Sequence, residues 1–322
     1  MMVDSIDCFP IQPRRKSSST ADRKWTPWLI PAISIANVAV FIVVMYINNC
    51  PNNHNFGSGK SCVLKFLGRL SFQPLRQNFL LGPSAYTLFK MGALQWDMVV
   101  RGHQGWRLIT CIWLHGGLVH LSLNILSLLV IGIRLEQKFG FVRIGVLYLV
   151  SGVGGSVLSA LFLGRYMSMG ASGAIFGLLG AMLSELLVNW TIYNNKIVFF
   201  QVVVLLVLVL LIVPNFVLGI IPHLHVDNFG HLGGFLTGFL LGFVVLLRPR
   251  FGWQERHQLP EHLRVKSKYL PYQLVLFVTA LALLIAGYTV GMTMLFKGKR
   301  GDDLCKWCHY LNCVPSSRWK CN

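Results

Sequence analysis

Apolar residues gather along this chain into runs of about twenty, the length a helix needs to cross bilayer hydrocarbon, with polar and basic residues between them. The runs are Trp28–Ile47, Gly117–Ile133, Phe141–Leu163, Ala171–Val188, Val198–Ile221, Phe229–Leu247 and Tyr272–Phe296, the fifth interrupted by Pro214 and Asn215. The pattern predicts an all-α polytopic membrane protein with six spans in one unit and a seventh after a linker. The expected division is a basic tail over 1–27, a six-span core over 28–248, a linker over 249–271, a seventh span over 272–296 and a cysteine-rich tail over 297–322. A long loop, about 48–106, follows the first span. Within it, Tyr86–Leu94 and the stretch FLGRLSF are amphipathic and suit a segment lying in the interface. No internal repeat and no second, soluble domain is expected.

Two spans carry small residues at helical spacing. Gly230, Gly234, Gly238 and Gly242 recur every fourth residue in the sixth, and Gly173, Gly177 and Ala181 do so in the fourth. Small residues let helix backbones approach closely in lipid, so these two spans are expected to pack face to face. The fourth is also short, at about 18 residues. Its N-terminus would lie below the membrane surface, in a cavity that admits water.

Polar residues are costly inside a membrane and are candidates for function. Three clusters stand out at the same ends of their spans: His115, His120 and Asn124 at the second, Gly170-Ala171-Ser172-Gly173 at the fourth, and Gly230-His231 at the sixth. Ser172 and His231 each open one of the two paired helices. Close packing would bring a hydroxyl within reach of an imidazole, the requirement for an activated serine nucleophile. The N–H groups and positive end of the helix at Ser172 favour a developing oxyanion. His120 and Asn124, four apart on one helical face, could donate to the same anion. Phe176 lies one turn after Ser172, where it packs or lines the cavity. Taken singly, each residue reads more simply as packing or interhelical glue; it is the shared end of three spans that favours catalysis.

Metal chemistry is the rival. His115, His120, His223, His225, His231 and Asp227 could surround a divalent ion, as in a zinc carrier or metalloprotease. The chain has no HExxH, and the five-residue spacing of His115 and His120 suits one helical face poorly. A pair of spans bearing catalytic aspartates is also missing. Elsewhere, Glu136 with Arg134 and Lys138 reads as an interfacial salt-bridge cluster, Glu185 as the partner of a loop base, and Trp106 as an interfacial anchor.

Composition agrees with the membrane reading: 54% hydrophobic and only 12% charged, where a soluble domain carries roughly a quarter charged residues. The net charge of +18 resides mostly in loops and tails, which fits membrane topology and contact with lipid rather than nucleic acid. Residues 1–26 lack the apolar core of a cleavable signal peptide, so the first span is expected to be an uncleaved anchor. Basic residues in the short loops (Arg134, Lys138, Arg143, Lys196 and the group from Arg248 to Lys268) imply a cytosolic N-terminus. Lys297, Lys299 and Arg300, just after the seventh span, run against that bias. Cys50, Cys62, Cys305, Cys308, Cys313 and Cys321 then fall on the oxidising side, which suggests disulfides. Cys305-x-x-Cys308 with His309 and Cys313 could alternatively hold zinc, and CKWCH also matches a c-type haem attachment pattern that nothing else in the chain supports.

Together these motifs resemble the rhomboid intramembrane serine proteases: Trp106-Arg107 in the first loop, His115-x4-His120-x3-Asn124, Gly170-Ala171-Ser172-Gly173, and Gly230-His231 with its glycine ridge. The resemblance covers about Trp106 to Leu247. The seventh span looks like the eukaryotic secretase-type subgroup, and RLEQKFGF with the tail CKWCHYLNCVPSSRW looks most like plant rhomboid-like proteins of the Golgi and secretory pathway, with the plasma membrane as the alternative location. It implies a six-helix core plus one helix, and a dyad of Ser172 as nucleophile and His231 as base, without a third acid. It further implies an oxyanion hole of His120, Asn124 and the Ser172 N–H, with Phe176 packed on the base and Gly170 beside the oxyanion. Single-pass membrane proteins in a lipid environment are the implied substrates, with no cofactor or metal and no nucleic acid. A rhomboid-fold protein that binds membrane clients without cutting them is the alternative, and a zinc-linked transporter is a third reading.

Overall fold

A computed structural model describes residues 25–52, 62–163, 166–189, 203, 206, 209–210, 212–213, 226–248, 269–303, 305 and 307–311. In chain order the helices are α1 (Leu29–Asn48), three short helices α2 (Ala85–Met91), α3 (Trp96–Val100) and α4 (Arg107–Thr110), then α5 (Leu118–Phe139), α6 (Phe141–Phe162), α7 (Ser172–Val188), α8 (Asn228–Val245) and α9 (Pro271–Phe296). Five of them, α1, α5, α6, α8 and α9, are long and apolar enough to cross a membrane. Among the described residues there is no strand, only isolated bridges pairing Val63 with Phe72 and Leu94 with Ser168. Most of the fifth apolar run, with Pro214 and Asn215, lies outside the described residues; Val203, Leu206, Val209, Leu210, Ile212 and Val213 are helical.

α7 is the centre of the bundle. At 17 residues it rises only about 26 Å, less than the ~30 Å of bilayer hydrocarbon. It is apolar all round and buried along nearly its whole length, as expected of a helix enclosed by others. The glycine ridge of α8 lies on it backbone to backbone. A methyl group on Gly234 would come within 3.0 Å of the Gly173 Cα, one on Gly238 within 2.5 Å of the Gly177 Cα, and one on Gly242 within 2.9 Å of the Ala181 Cα. The α6 glycines complete the arrangement, since a Cβ on Gly155 would reach 2.6 Å from the Gly230 carbonyl oxygen. Such proximity is open only to residues without side chains.

α5 runs six residues past the expected Ile133, and the reason corrects the reading of Glu136. Leu135, Glu136 and Phe139 continue the buried face of the helix while Arg134 points outward. The Glu136 carboxylate does not pair with Arg134 or Lys138. It is fully buried and accepts the N–H groups of Trp28 (2.9 Å), Leu29 (2.8 Å) and Ile30 (2.9 Å). It therefore caps the start of α1, whose first N–H groups have no partner within their own helix and whose positive end favours a carboxylate. Glu136→Ala is expected to cost about 3 kcal/mol, because hydrogen bonds to a buried charge are lost and their donors are left unpaired. A lowered melting temperature in detergent, partly restored by Glu136→Gln, checks this. Glu185 does pair with a base, Lys138, at 2.8 Å, supplied by the last turn of α5 rather than by a loop. At the same end, Gln273 donates to the carbonyls of Val188 (3.1 Å) and Arg248 (3.2 Å), tying α9 to the ends of α7 and α8.

At the other end of the bundle, the segment between α1 and α5 is folded onto the helices. Asn48 Oδ1 accepts from the Ser84 N–H at 2.9 Å, the Thr87 hydroxyl at 3.0 Å and the Gln73 amide at 3.3 Å, and a Cys50–Cys62 disulfide closes the start of the loop. Arg107 is buried rather than surface-facing. Its Nη1 donates to the carbonyls of Phe89 (2.8 Å) and Ala93 (2.7 Å), and its Nε to Gln104 Oε1 (2.6 Å). Trp106 remains half exposed and packs on Gly92. The described part of the tail after α9 lies there too: Cys305 and Cys308 form a disulfide, and Asn228 Nδ2 donates to the Leu311 carbonyl at 2.6 Å. Cys313 and Cys321 lie outside the described residues.

Candidate active site

Ser172 is the first residue of α7, and the chain reaches it through Gly170 at φ +127°, a conformation that side-chain-bearing residues rarely adopt. The Gly170 N–H is held by the Cys111 carbonyl at 2.9 Å. A side chain at Gly170 would be excluded a second time, by a neighbour: a Cβ there would lie 2.8 Å from His120 Cε1 and 3.0 Å from His120 Nε2. It would lie 3.7 Å from the Ser172 hydroxyl oxygen. Gly170 thus leaves room for the His120 ring edge two residues before Ser172.

The tautomer of His120 follows from its other nitrogen. Nδ1 accepts the Gly116 N–H at 3.3 Å, so a neutral ring carries its proton on Nε2, the atom that faces Gly170. His115 stands behind it with ring centroids 5.4 Å apart, edge to face. His115 Nδ1 donates to the Trp113 carbonyl at 3.3 Å, and the side chain is almost wholly buried. Burial, with a smaller contribution from His120, pushes its pKa down to about 3, so it is neutral at physiological pH and acts as a prop. Asn124 sits one turn further along α5, buried, its amide donating to the His120 carbonyl at 2.9 Å.

His231 lies in the first turn of α8 and is buried. Its ring stacks on Phe176, with centroids 4.2 Å apart and planes 7° from parallel. Phe176 is four residues after Ser172, on the same face of α7. The stacking therefore seats the imidazole over the helix that Ser172 opens, and the glycine contacts between α7 and α8 set how close the two helices come. Ser172 itself is only partly buried.

The structure thus gathers Gly170, Ser172 and His120 in one contact set and Phe176 with His231 in another on the same helix, with His115 behind His120 and Asn124 a turn deeper. Of the metal-donor candidates, His223 and His225 lie outside the described residues. Among the described residues no three His, Cys, Asp or Glu side chains converge. Sequence reasoning missed the Cys111 carbonyl that fixes Gly170, for which no local signal exists. It also passed over Asp227 as a helix cap, although an aspartate just before the first apolar turn of a helix is a recognisable start signal.

The family model described as the Rhomboid domain matches residues 102–248. RHOMBOID-like protein 2 of Arabidopsis thaliana is 58% identical over 303 residues, covering 94% of this chain and 92% of its own length. Inactive RHOMBOID-like protein 8 of the same plant is 38% identical over 308 residues, covering 92% of this chain and 83% of its own. Rhomboid-type serine protease 2 of Emericella nidulans is 40% identical over 147 residues, 45% of this chain and 28% of its own.

Proposed function

This chain belongs to the rhomboid family, and from that premise we propose that it is an intramembrane serine endopeptidase working through Ser172 and His231. The observation that carries the reading is the serine at the start of a short, enclosed helix, with the His231 ring stacked one turn further along that helix and the Nε2 side of His120 facing the adjacent Gly170. The Ser172 hydroxyl attacks a peptide carbonyl as its proton passes to neutral His231. The resulting oxyanion is stabilised by the Ser172 N–H, the His120 Nε2–H and the Asn124 amide, at the positive end of α7. His231 then protonates the leaving amine. Water resolves the acyl-enzyme: it attacks the acyl carbonyl as its proton passes to His231, and the Ser172 oxygen leaves with that proton. Phe176 holds the base and Gly170 leaves room for the anion.

The substrates are single-pass membrane proteins, cut at or near the end of the transmembrane helix that shares a side with Ser172. A helix must unwind to present a peptide bond there, so small, helix-weakening residues near the cut are expected. The chain forms a six-helix core plus a seventh span, with the N-terminus cytosolic and the disulfide-bearing tail in the lumen of the Golgi or secretory pathway. Protection of a tagged tail from added protease in sealed vesicles, together with co-localisation with a Golgi marker, tests this arrangement; a mitochondrial location would overturn it.

The test of the activity is release of a tagged ectodomain from a single-pass reporter. His120→Ala and Asn124→Ala are each expected to lower kcat about 100- to 1000-fold while leaving measurable turnover, the usual cost of losing one oxyanion donor. Wild-type rates in both would remove these residues from the oxyanion hole. A non-cleaving client binder is the second reading, favoured by the inactive relative. It requires co-purification of intact reporter with no release by the wild type.

A further inference from the structure

We infer that Asp227 is a positioning residue for the reaction: its carboxylate clasps the turn that carries His231 to the loop that carries Ser172. The inference rests on the dyad reading above. Asp227 precedes His231 by four residues and caps α8, accepting the Gly230 N–H on Oδ1 at 2.8 Å. Its other oxygen, Oδ2, accepts the Ser168 hydroxyl at 2.5 Å. Ser168 precedes Ser172 by the same four residues. It is itself fixed to the first loop by paired backbone bonds with Leu94, of 2.9 and 3.0 Å. Buried Ser159 on α6 faces the same carboxylate. One side chain therefore joins the approach to the nucleophile, the approach to the base and the end of α6.

Both oxygens are engaged away from the imidazole, so Asp227 does not act as a third acid. What it holds is register. The glycine ridge lets α7 and α8 approach but presents smooth backbone surfaces that resist sliding weakly. The contact between Asp227 and Ser168 is a polar crosslink at the end where the two catalytic side chains must meet. A displacement of about 1 Å in such a pair can cost on the order of 100-fold in rate.

The test uses the full-length protein in detergent with a tagged transmembrane substrate, measuring kcat, KM and melting temperature. Asp227→Ala is expected to lower kcat about 10- to 100-fold with KM within about twofold of wild type, because substrate binding is untouched while near-attack geometry is lost. Asp227→Asn is expected to restore most of kcat, since its oxygen can cap Gly230 and its amide can donate to the Ser168 hydroxyl. Ser168→Ala, which removes a single bond, should lower kcat about three- to tenfold at an unchanged melting temperature. Should Asp227→Ala fail to fold, the decision passes to Ser168→Ala, and wild-type kcat there would overturn the inference. So would wild-type kcat in Asp227→Ala, or a loss in Asp227→Asn equal to that in Asp227→Ala, which would assign the effect to charge rather than to the clasp. Ser172→Ala is assayed alongside: turnover persisting in it removes the dyad itself, whereas an inactive Ser172→Ala with fully active Asp227 variants removes only the clasp.

Discussion

Ser172→Ala is expected to reduce ectodomain release on the order of 10⁵- to 10⁶-fold and to abolish labelling by a fluorophosphonate probe. The reasoning is chemical before it is structural. A serine hydroxyl is a weak nucleophile unless a base removes its proton as it attacks, and alanine leaves no atom to form the acyl-enzyme. His231→Ala should fall nearly as far, because the serine without its base is almost as inert as no serine. The two effects are therefore not additive, and the Ser172→Ala/His231→Ala double variant should be no worse than Ser172→Ala alone. That equality separates a dyad from two independent contributions. Ordinary turnover in His231→Ala would make the pairing of Phe176 with His231 a packing contact and nothing more. The fold should survive both changes, since Ser172 is partly exposed and the stack of His231 on Phe176 is one contact among many on α7. Equal protein levels and equal melting temperatures are thus part of the expected result.

The second large effect is on stability. Gly238→Val is expected to prevent correct packing of α7 against α8, at a cost of at least about 3 kcal/mol, the upper range for forcing extra volume into a filled interior. A Cβ at Gly238 would lie 2.5 Å from the Gly177 Cα and closer still to its carbonyl group. The neighbour is main chain on both sides, so no side chain can rotate away, and the helices must separate along their length. Gly287, on the outer helix α9, is the control: a Cβ there meets nothing within 4 Å. Gly287→Ala should match or slightly exceed the wild-type melting temperature, since alanine is the better helix former by about 1 kcal/mol. Thermal unfolding in detergent of the two variants checks both. A Gly238→Val protein that melts with the wild type would mean that the ridge does not set the distance between α7 and α8.

Much of this architecture was legible along the chain because membranes simplify the problem. A span shows itself as a run of apolar residues, and the ridge of Gly230, Gly234, Gly238 and Gly242 marks a contacting face by its own spacing. The pairing of α7 with α8 could be inferred from two such patterns with no knowledge of the rest. The candidate residues were visible for the same reason: histidine, serine and asparagine are conspicuous in hydrocarbon. What escaped were roles defined by a distant partner. Glu136, read as part of a local charge cluster, caps a helix that begins more than a hundred residues earlier. Arg107 is buried because backbone carbonyls at Phe89 and Ala93 converge on it, and a carbonyl leaves no trace in sequence. That position 170 requires glycine is decided by its positive φ and by the His120 ring beside it, neither of which the sequence displays.

By itself, then, the sequence determined the helical membrane class, the close approach of two particular helices and the set of polar residues available for chemistry. These follow from composition and periodicity, properties of neighbouring residues that free energy of transfer into lipid acts on directly. The tertiary structure alone decided which nitrogen of His120 faces Gly170, that His231 lies flat on Phe176, and that Asp227 bonds Ser168. Those depend on the rotation and height of one helix against another, which are set by packing across the whole bundle and have no local counterpart in the chain.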